Sequence, residues 1–454
     1  KESGNTITIG ASGDTVTLGS GASQTGFGRT GTVDWQTGDI KTSTFTAVSG
    51  QGFFCDTNGG AFNVNLPAGS AGAIVSLQDY RNTFDTENLT VTPNGSEKIN
   101  GGVGGGTVTL ATEGEGITLV YIDGTIGWRS IQDNTFADAS AVDSLIAATG
   151  GTVTTVCTDF KVHTFTGPGT FCVSAGSGPI AVAEYIVVAG GGGGGGGYGG
   201  GGGAGGFRFA GPTLAPLTYP GKPLSTTGQI MSPGPYAITV GAGGTGSTGS
   251  TGSGDQNGQK GNNSIFVAST ATITSAGGGA GSMVFPACNS SGGSGGGGSV
   301  SGPGTPQPVA GTGNTPPVNP AQGTDGGDGY NGGCYGQGGG GGAIVAGTNG
   351  TPGDGGAGGA GAGIPTAFGS NGVPCGSFRY YSGGGGGGRY GPSGNGGGGA
   401  PGGVGGGGKA CQPSGVNGTN NSGGGGGGAN MRQPSGNNGG NGGSGIVIIR
   451  YKFQ

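Results

Sequence analysis

The sequence predicts an all-β protein, with an N-terminal β fibre or sandwich domain followed by a β domain that contains packed polyglycine II-type helices. Apolar residues alternate with polar ones in strand-length runs, and turn dipeptides such as N-G and D-G separate these runs. Glycine supplies 129 of the 454 residues, most of them in repeated tracts. Only residues 137–148 have the length and composition of a helix.

Composition changes along the chain predict four segments. Residues 1–30 hold two related β repeats, at 6–14 and 15–22, which we interpret as a shaft segment. Such narrow strands bury too little surface alone, so we expect them to stack with identical copies around a threefold axis. The other segments are a β-sandwich or jelly-roll domain at 31–135, a connector at 136–150 and a glycine-rich β/polyglycine tip domain at 151–454. The expected core aromatics of the second segment are Trp35, Phe53, Phe54, Tyr80 and Trp128.

Charge and hydropathy exclude two classes of partner. Charged residues make up 8% of the chain, against roughly 25% in an ordinary soluble domain. With a net charge of -5 and 16 Lys and Arg, the chain has no basic stripe to neutralise phosphates, so no nucleic-acid partner is predicted. No apolar run approaches the ~20 residues that cross a bilayer, so no membrane insertion is predicted.

The glycine tracts are either disordered spacers or an ordered body. Two apolar strands, at residues 180–189 and 446–449, open and close the glycine region, and both would be exposed aggregation sites if the chain between them were a coil. We therefore expect the two strands to pair. Glycine readily forms an extended helix of three residues per turn, and such helices can hydrogen-bond sideways because no side chains separate them.

Few residues are candidates for chemistry. The single histidine, His163, lies in a predicted strand and is interpreted as structural. Residues 403–409 resemble a P-loop but are followed by Ala410 instead of the Ser or Thr that binds magnesium. Asp325 and Asp328 are either calcium ligands or solvated turn residues. No catalytic residue, metal site or cofactor is predicted.

The seven cysteines contain no C-x-x-C pair, which disfavours zinc. They are either buried thiols or disulfides, of which Cys157 with Cys172 is one possible pair. The odd number leaves at least one thiol free or intermolecular.

Tyrosine and arginine in the loops between tracts form the predicted binding surface. These residue types supply contact area at low ordering cost, and tyrosine rings suit sugar faces. The alternative is that they cover the ends of the glycine layer. The candidate receptor-binding residues are Phe378, Arg379, Tyr380, Tyr381, Arg389, Tyr390, Met431, Arg432, Tyr330 and Tyr335.

Several motifs resemble known phage proteins. The segments V-H-T-F-T-G-P-G-T-F-C-V at 162–173, E-Y-I-V-V-A-G-G at 184–191, Y-A-I-T-V-G-A-G-G at 236–244 and G-G-S-G-I-V-I-I-R-Y at 442–451 resemble the glycine-rich domain common in phage tail-fibre proteins. Residues 44–131, with L-P-A-G and V-T-P-N-G-S-E-K-I, resemble a β domain of marine-phage tail fibres. The overall style is similar to the polyglycine tip adhesins of T-even-like phages.

These resemblances imply an extracellular, non-catalytic tail fibre or tip adhesin on the virion tail. Its partners would be a bacterial surface glycan or outer-membrane protein and other virion tail proteins, and it would be a homotrimer. The alternative is a self-assembling structural filament or virion surface protein.

Overall fold

The computed structural model describes residues 33–131, 144–197, 199–214, 218–248, 257–283, 290–299, 309–330, 335–390, 399–411, 414–430 and 437–454. Across these ranges the chain is nearly all β, as predicted. The helical segments among them are two single-turn 3-10 helices, Lys222–Leu224 and Thr366–Phe368. The chain forms two compact units, Lys1–Val142 and Asp143–Gln454, and the predicted shaft segment 1–30 lies outside the described residues.

The first unit contains two sheets around one core. Sheet order is β1-β3-β5-β8-β9 in one sheet and β2-β4-β6-β7 in the other. Both sheets supply apolar side chains to a shared cluster that includes Val64, Leu77, Leu119 and Trp128. The strands are β1 Asp34–Trp35, β2 Phe45–Thr46, β3 Gln51–Cys55, β4 Phe62–Asn65, β5 Ile74–Asp79, β6 Leu89–Thr92, β7 Val108–Leu110, β8 Gly116–Tyr121 and β9 Trp128–Ser130.

Strand direction in this unit differs from a jelly roll. Neighbouring strands of a jelly roll are antiparallel, whereas β1, β3 and β5 pair in parallel, and so do β2, β4 and β6. The chain alternates between the two sheets through these six strands, so each parallel neighbour is reached by crossing the other sheet. The antiparallel pairs of this unit, as far as it is described, involve β7, β8 and β9.

Two of the five predicted core aromatics are exposed. Phe53 and Trp128 are buried, but Trp35 and Tyr80 are 39% and 49% exposed. Adjacent residues of a strand point to opposite faces, so Phe53 and Phe54 cannot both reach the core. The outer face carries a row of rings, with centroids 4.9 Å apart for Trp35–Phe54 and 6.4 Å apart for Phe54–Tyr80.

The second unit contains a seven-stranded sheet, a five-stranded sheet and two small ones. Its strands are β10 Ser144–Thr149, β11 Thr152–Val156, β12 Phe160–Phe165, β13 Gly169–Ser177, β14 Val182–Val188, β15 Phe207–Ala210, β16 Ser225–Thr226, β17 Gln229–Ile230, β18 Gly234–Thr239, β19 Ser264–Val267, β20 Thr272–Ser275, β21 Tyr335–Gly336, β22 Ala362–Pro365, β23 Val373–Cys375, β24 Phe378–Tyr381, β25 Arg389–Tyr390 and β26 Ile446–Lys452.

The two larger sheets pack face to face. The seven-stranded sheet has the order β11-β12-β26-β14-β15-β16, with β17 also on β14, and the five-stranded sheet has the order β10-β13-β18-β19-β20. Phe171, Phe266, Tyr185 and Tyr451 fill the space between them. The helix-length stretch predicted within the connector 136–150 is wrong for residues 144–149, because they form strand β10 and pair with β13 instead of forming a helix. The remaining residues of that stretch, up to 143, lie outside the described ones.

The predicted pairing of the two apolar strands is confirmed. Strand β14 lies antiparallel to β26, with Val188 opposite Ile446 and Ala183 opposite Tyr451. Both strands are buried on two faces, because a second apolar cluster with Phe209 and Phe368 covers the side away from the five-stranded sheet. Such double burial explains why both strands are continuous apolar runs.

One buried ion pair joins these two strands. Glu184 on β14 lies opposite Arg450 on β26, and the two side chains form a salt bridge in which each is about 95% buried. The backbone N–H and hydroxyl of Thr213 also donate to Glu184 Oε1, at 3.0 and 2.6 Å. The Arg450 guanidinium stacks 3.6 Å from the centre of the Phe160 ring. These partners compensate for removing both charges from water.

The disulfide that the sequence allowed between two of the cysteines is absent. Cys157 and Cys172 are both free and exposed, so the possible disulfide between them is not formed. Cys157 lies in the turn after β11, whereas Cys172 lies on β13 in the other large sheet. Cys55 is a buried thiol, and burial raises its pKa to about 12. Cys288 and Cys334 lie outside the described residues.

Candidate functional site

The glycine tracts form a body held together by backbone hydrogen bonds. In the tract 190–195, the N–H groups of Gly190 and Gly193 donate to Asn262 and Gln259. Those of residues 191 and 194 donate to residues 443 and 440, and those of residues 192 and 195 donate to residues 203 and 200. The N–H groups of successive residues therefore donate to three different tracts in turn, and the same tract is reached again at every third residue.

The carbonyl groups of the same tract follow the same cycle. Those of residues 190 and 193 accept from residues 278 and 281, those of 191 and 194 accept from 244 and 247, and those of 192 and 195 accept from 426 and 429. Three tracts on the N–H side and three on the carbonyl side make six neighbours. The backbone of a fully buried tract is thus satisfied without regular helix or strand pairing.

The absence of side chains is required by the spacing between tracts. A Cβ placed on Gly190, Gly194 or Gly202 would lie 2.0–2.1 Å from a carbonyl oxygen of a neighbouring tract. Real Cβ atoms essentially never approach another atom closer than 3.0 Å. The tracts therefore lie too close together at these positions for any residue except glycine.

The tracts have a proximal end at the β sheets and a distal end away from them. Residue 190 follows β14, 206 precedes β15, 241 follows β18 and 445 precedes β26, so these residues define the proximal end. At the other end, Gly388 donates to the Gly199 carbonyl, Ala429 to that of Gly195 and Gly200 to that of Ser282. The chain thus reverses repeatedly at the distal end, next to residues 197, 283, 390 and 430.

Several predicted binding residues lie at the distal end. The two-residue strands β21 and β25 pair there, with Tyr335 opposite Tyr390. Arg389 forms a 3.0 Å ion pair with Asp354, and its backbone N–H donates to Asn430 Oδ1 at 3.0 Å. The partly buried Tyr330 joins this region through its N–H, which donates to the Gly336 carbonyl.

The remaining predicted binding residues do not join this group. Phe378, Arg379 and Tyr380 are partly buried on β24 at the proximal end, about 20 Å away along residues 382–388 at roughly 3 Å per residue. Tyr381 is only 1% exposed, its hydroxyl donates to the Asn371 carbonyl, and burial raises its pKa. Its inclusion among receptor-binding residues was wrong, because it faces the core. Met431 and Arg432 lie outside the described residues.

Asparagine and aspartate at the edges of the body have a role that the sequence analysis missed. An edge tract lacks an outer neighbour, and side-chain oxygens replace the missing carbonyl: Asn263 Oδ1 accepts from Gly277 N–H at 2.9 Å, and Asn417 Oδ1 accepts from Asn441 N–H at 2.8 Å. Asp325 and Asp328 accept from the N–H groups of Gly313 and Ala310 in the same way. The signal in the sequence was the three-residue spacing of these polar residues between glycines, as in the pairs Asn417 with Asn420 and Asp325 with Asp328.

Neither histidine nor acidic residues form a reactive cluster in the described part of the chain. His163 is fully buried, its Nδ1–H donates to the Gly150 carbonyl at 2.7 Å, and Nε2 lies 3.0 Å from the Tyr451 hydroxyl. Burial lowers the pKa of His163 and raises that of Tyr451 to about 12. Over the same ranges, no group of three His, Cys, Asp or Glu side chains has metal-binding geometry.

Comparison with known protein families identifies the glycine-rich part of the chain. A family model described as a glycine-rich domain matches residues 164–452, which is more than half of the chain. No curated protein matches the sequence. Among the described residues, no helix has the length and apolar character needed to span a membrane.

Proposed function

Because this chain belongs to the glycine-rich domain family, we propose that its tracts form a rigid support of packed polyglycine II-type helices for a receptor-binding tip. In this proposal the protein is a bacteriophage tail fibre or tip adhesin. It attaches the virion to a glycan or outer-membrane protein of the bacterial surface. The observation that carries the proposal is the collection of tract reversals at one end of a hydrogen-bonded body.

The polyglycine II assignment rests on the three-residue cycle of partners. A helix with three residues per turn directs every third N–H in the same direction, and polyglycine II has no hydrogen bonds inside one helix. Both properties match the tract 190–195, whose donors and acceptors all lie in other tracts. A β strand would alternate with a period of two instead.

Receptor binding at the distal end is supported by the residues found there. Tyr330, Tyr335, Tyr390 and Arg389 sit at or beside the reversals of tracts that are braced by six neighbours. Rigid presentation reduces the ordering cost of binding, and tyrosine and arginine contribute disproportionately to contact energy. The residues match, in kind, those used at adaptable recognition surfaces.

The proposal also includes features for which the sequence supplies the support. These are a homotrimer, an extracellular location on the virion tail, contacts with other tail proteins, and attachment without catalysis or a cofactor. The β repeats at 1–30 support the trimer, because such narrow strands can bury their apolar side chains only against identical copies.

A structural filament is the second candidate, and one observation favours it. The ring row on the outer face of the first unit, with Trp35 and Tyr80 exposed and Phe54 partly buried between them, is an apolar surface of the kind that contacts neighbouring subunits. Electron microscopy over a range of protein concentrations separates the two candidates, because a filament lengthens with concentration whereas a tip adhesin remains a discrete particle.

The decisive experiment compares the two ends of the glycine body. Fluorescently labelled protein is tested on a panel of bacteria, as wild type, as a distal variant (Y330A/Y335A/Y390A) and as a proximal variant (F378A/R379A/Y380A). We expect only the distal variant to lose binding. Stripping surface glycans, or digesting surface proteins, identifies the receptor class. Equal loss in both variants, or no binding to any strain by the wild type, would contradict the proposal.

A further inference from the structure

A groove of about 350 Å³ lies on the flank of the glycine body, away from the distal reversals. Its floor is the tract that contains Asn441, Gly442 and Ser444, and its walls are the edge tracts with Thr245 on one side and Asn417 and Asn420 on the other. Hydrogen bonds fix both walls to the floor: Gly442 donates to the Gly244 carbonyl at 2.8 Å, and Gly418 donates to that of Asn441 at 2.8 Å.

Three asparagine side chains in the groove have fixed orientations. The Oδ1 atoms of Asn417, Asn420 and Asn441 each accept a backbone N–H from a neighbouring tract, from Asn441, Ser444 and Gly246 respectively. These contacts measure 2.8, 3.3 and 2.8 Å. All three side chains are exposed, and their Nδ2 groups have no partner among the described residues. Each carboxamide is thereby held by its oxygen with its two N–H donors free.

The groove has the shape of a missing tract, but its chemistry does not suit one. A further glycine helix would need the outward N–H groups of Asn441 and Ser444 as donors, and the oxygens of Asn417 and Asn420 already accept from both. The asparagines therefore end the lattice on this side. The asparagine side chains form a row of N–H donors along the groove. Beside this row lie the carbonyl of Gly442 and the N–H of Gly243, and neither has a hydrogen-bond partner in the described part of the chain.

We propose that this asparagine-lined groove is a binding site for a neutral carbohydrate. Sugar hydroxyls both donate and accept, which matches a surface of amide donors next to a carbonyl acceptor. The groove has no charged side chain, so it offers nothing specific to an anionic or cationic ligand. Its volume lies at the lower end of the range of small-molecule sites and suits one or two sugar rings.

This site is separate from the distal end and does not depend on the proposed receptor-binding role there. A sugar bound on the flank would lie alongside the tracts, whereas a distal receptor would meet their ends. The site could hold a branch of a surface glycan or a free oligosaccharide, since the recognised chemistry is the same. Comparing free trisaccharide with polysaccharide that remains attached to cells distinguishes these sources.

The test uses the full-length protein with ¹⁵N-labelled asparagine side chains. Chitotriose, maltotriose and mannotriose are added in turn up to millimolar concentration, and the side-chain amide resonances are followed by NMR. We expect at least one trisaccharide to shift the resonances of Asn417, Asn420 and Asn441 in a saturable way.

Two variants and one control separate the groove from the rest of the surface. N417D/N441D keeps both oxygens that accept backbone N–H groups but removes two amide donors, and T245W fills the groove. Each should weaken trisaccharide binding at least about tenfold, the loss expected for two hydrogen bonds. N263D is the matched control, because Asn263 caps Gly277 in the same way outside the groove, and it should bind as wild type does.

Three results would overturn the inference. These are the absence of shifts with all three sugars, undiminished binding by both groove variants, and equal loss in N263D. If Y330A/Y335A/Y390A loses the trisaccharide while N417D/N441D retains it, the sugar site is distal; the flank site is then rejected and the proposed function stands. If N417D/N441D loses the trisaccharide and the distal variant keeps both trisaccharide binding and bacterial attachment, the flank site stands and the distal receptor-binding role is rejected.

Discussion

Replacing Gly202 with alanine tests whether the tracts are held by close backbone packing. Gly202 donates to the Gly426 carbonyl at 2.8 Å and accepts from Gly385 at 2.9 Å. An added Cβ would lie 2.1 Å from the Gly192 oxygen, against a lower limit of 3.0 Å, so the two tracts must separate by about 0.9 Å. The Gly192 oxygen accepts from Gly426 at 2.9 Å, and a shift of this size breaks that hydrogen bond.

The expected loss follows from the two groups that remain unpaired. A buried donor or acceptor without a partner costs about 1–3 kcal/mol, which gives about 2–6 kcal/mol for the pair. Alanine lowers the conformational entropy of the unfolded chain, which offsets about 0.4–1 kcal/mol of this loss. We therefore expect G202A to lower the free energy of unfolding of the second unit by about 1–6 kcal/mol.

The assay exploits the distribution of tryptophan. Trp35 and Trp128 are the two tryptophans of the chain, and both lie in the first unit. Urea unfolding followed by tryptophan fluorescence therefore reports the first unit, which should not change, while near-ultraviolet tyrosine dichroism and amide exchange report the second. In the wild type, the amides of residues 190–195 should exchange slowly although they belong to no β strand and no α-helix.

Gly353 supplies the matched control, because an added Cβ there meets nothing within 4 Å. We expect G353A to change stability by less than about 1 kcal/mol. If G202A is as mild as G353A, or if amides 190–195 exchange at the rate of an unfolded chain, the lattice of tracts is refuted.

Three further predictions concern buried polar groups. E184Q should destabilise the second unit by about 3–5 kcal/mol in urea, since it leaves the Arg450 charge buried and uncompensated, and E184Q/R450M should lose less than E184Q alone. Because burial lowers the pKa of His163 below 6.5, the unfolded chain binds the extra proton first as pH falls, so stability from this group is present above pH 6.5 and declines below it. In H163Q, the change in unfolding free energy between pH 7.5 and 5.5 should be smaller than in wild type, and an equal change would contradict this assignment. Maleimide should label the exposed Cys172 of the native protein at once and Cys55 only after unfolding, and fast native labelling of Cys55 would show that its pocket opens.

Sequence reasoning succeeded where residue type alone dictates burial. The runs around Val187 and Ile448 are apolar on both faces of a strand, and strands of this kind must pair and be covered on two sides. The same reasoning failed for Trp35 and Tyr80, since composition shows that an aromatic residue is near a core but not which face of its strand it occupies. For Trp35 the register decided that face, because Trp35 lies opposite Gly52 and therefore on the same side of the sheet as Phe54.

The location of the binding residues could not be read from the sequence for a different reason. Phe378 and Arg389 are separated by only eleven positions, yet one tract lies between them and carries them to opposite ends. Spacing along the chain therefore does not measure distance in a body made of extended rods. The asparagine caps were not predicted because the sequence analysis assigned a structure to the glycines and none to the polar residues between them.

The central position of β26 affects how the protein can be made. On the ribosome, the tract 190–195 emerges long before residues 440–443, which satisfy two of its amides, and before β26, which fills the space between β12 and β14. Until residue 452 has been synthesised, the nascent second unit lacks the middle of its main sheet. Assembly of this unit must therefore wait until β26 has emerged, and a product cut short before β26 would expose the edges of β12 and β14 to aggregation or proteolysis.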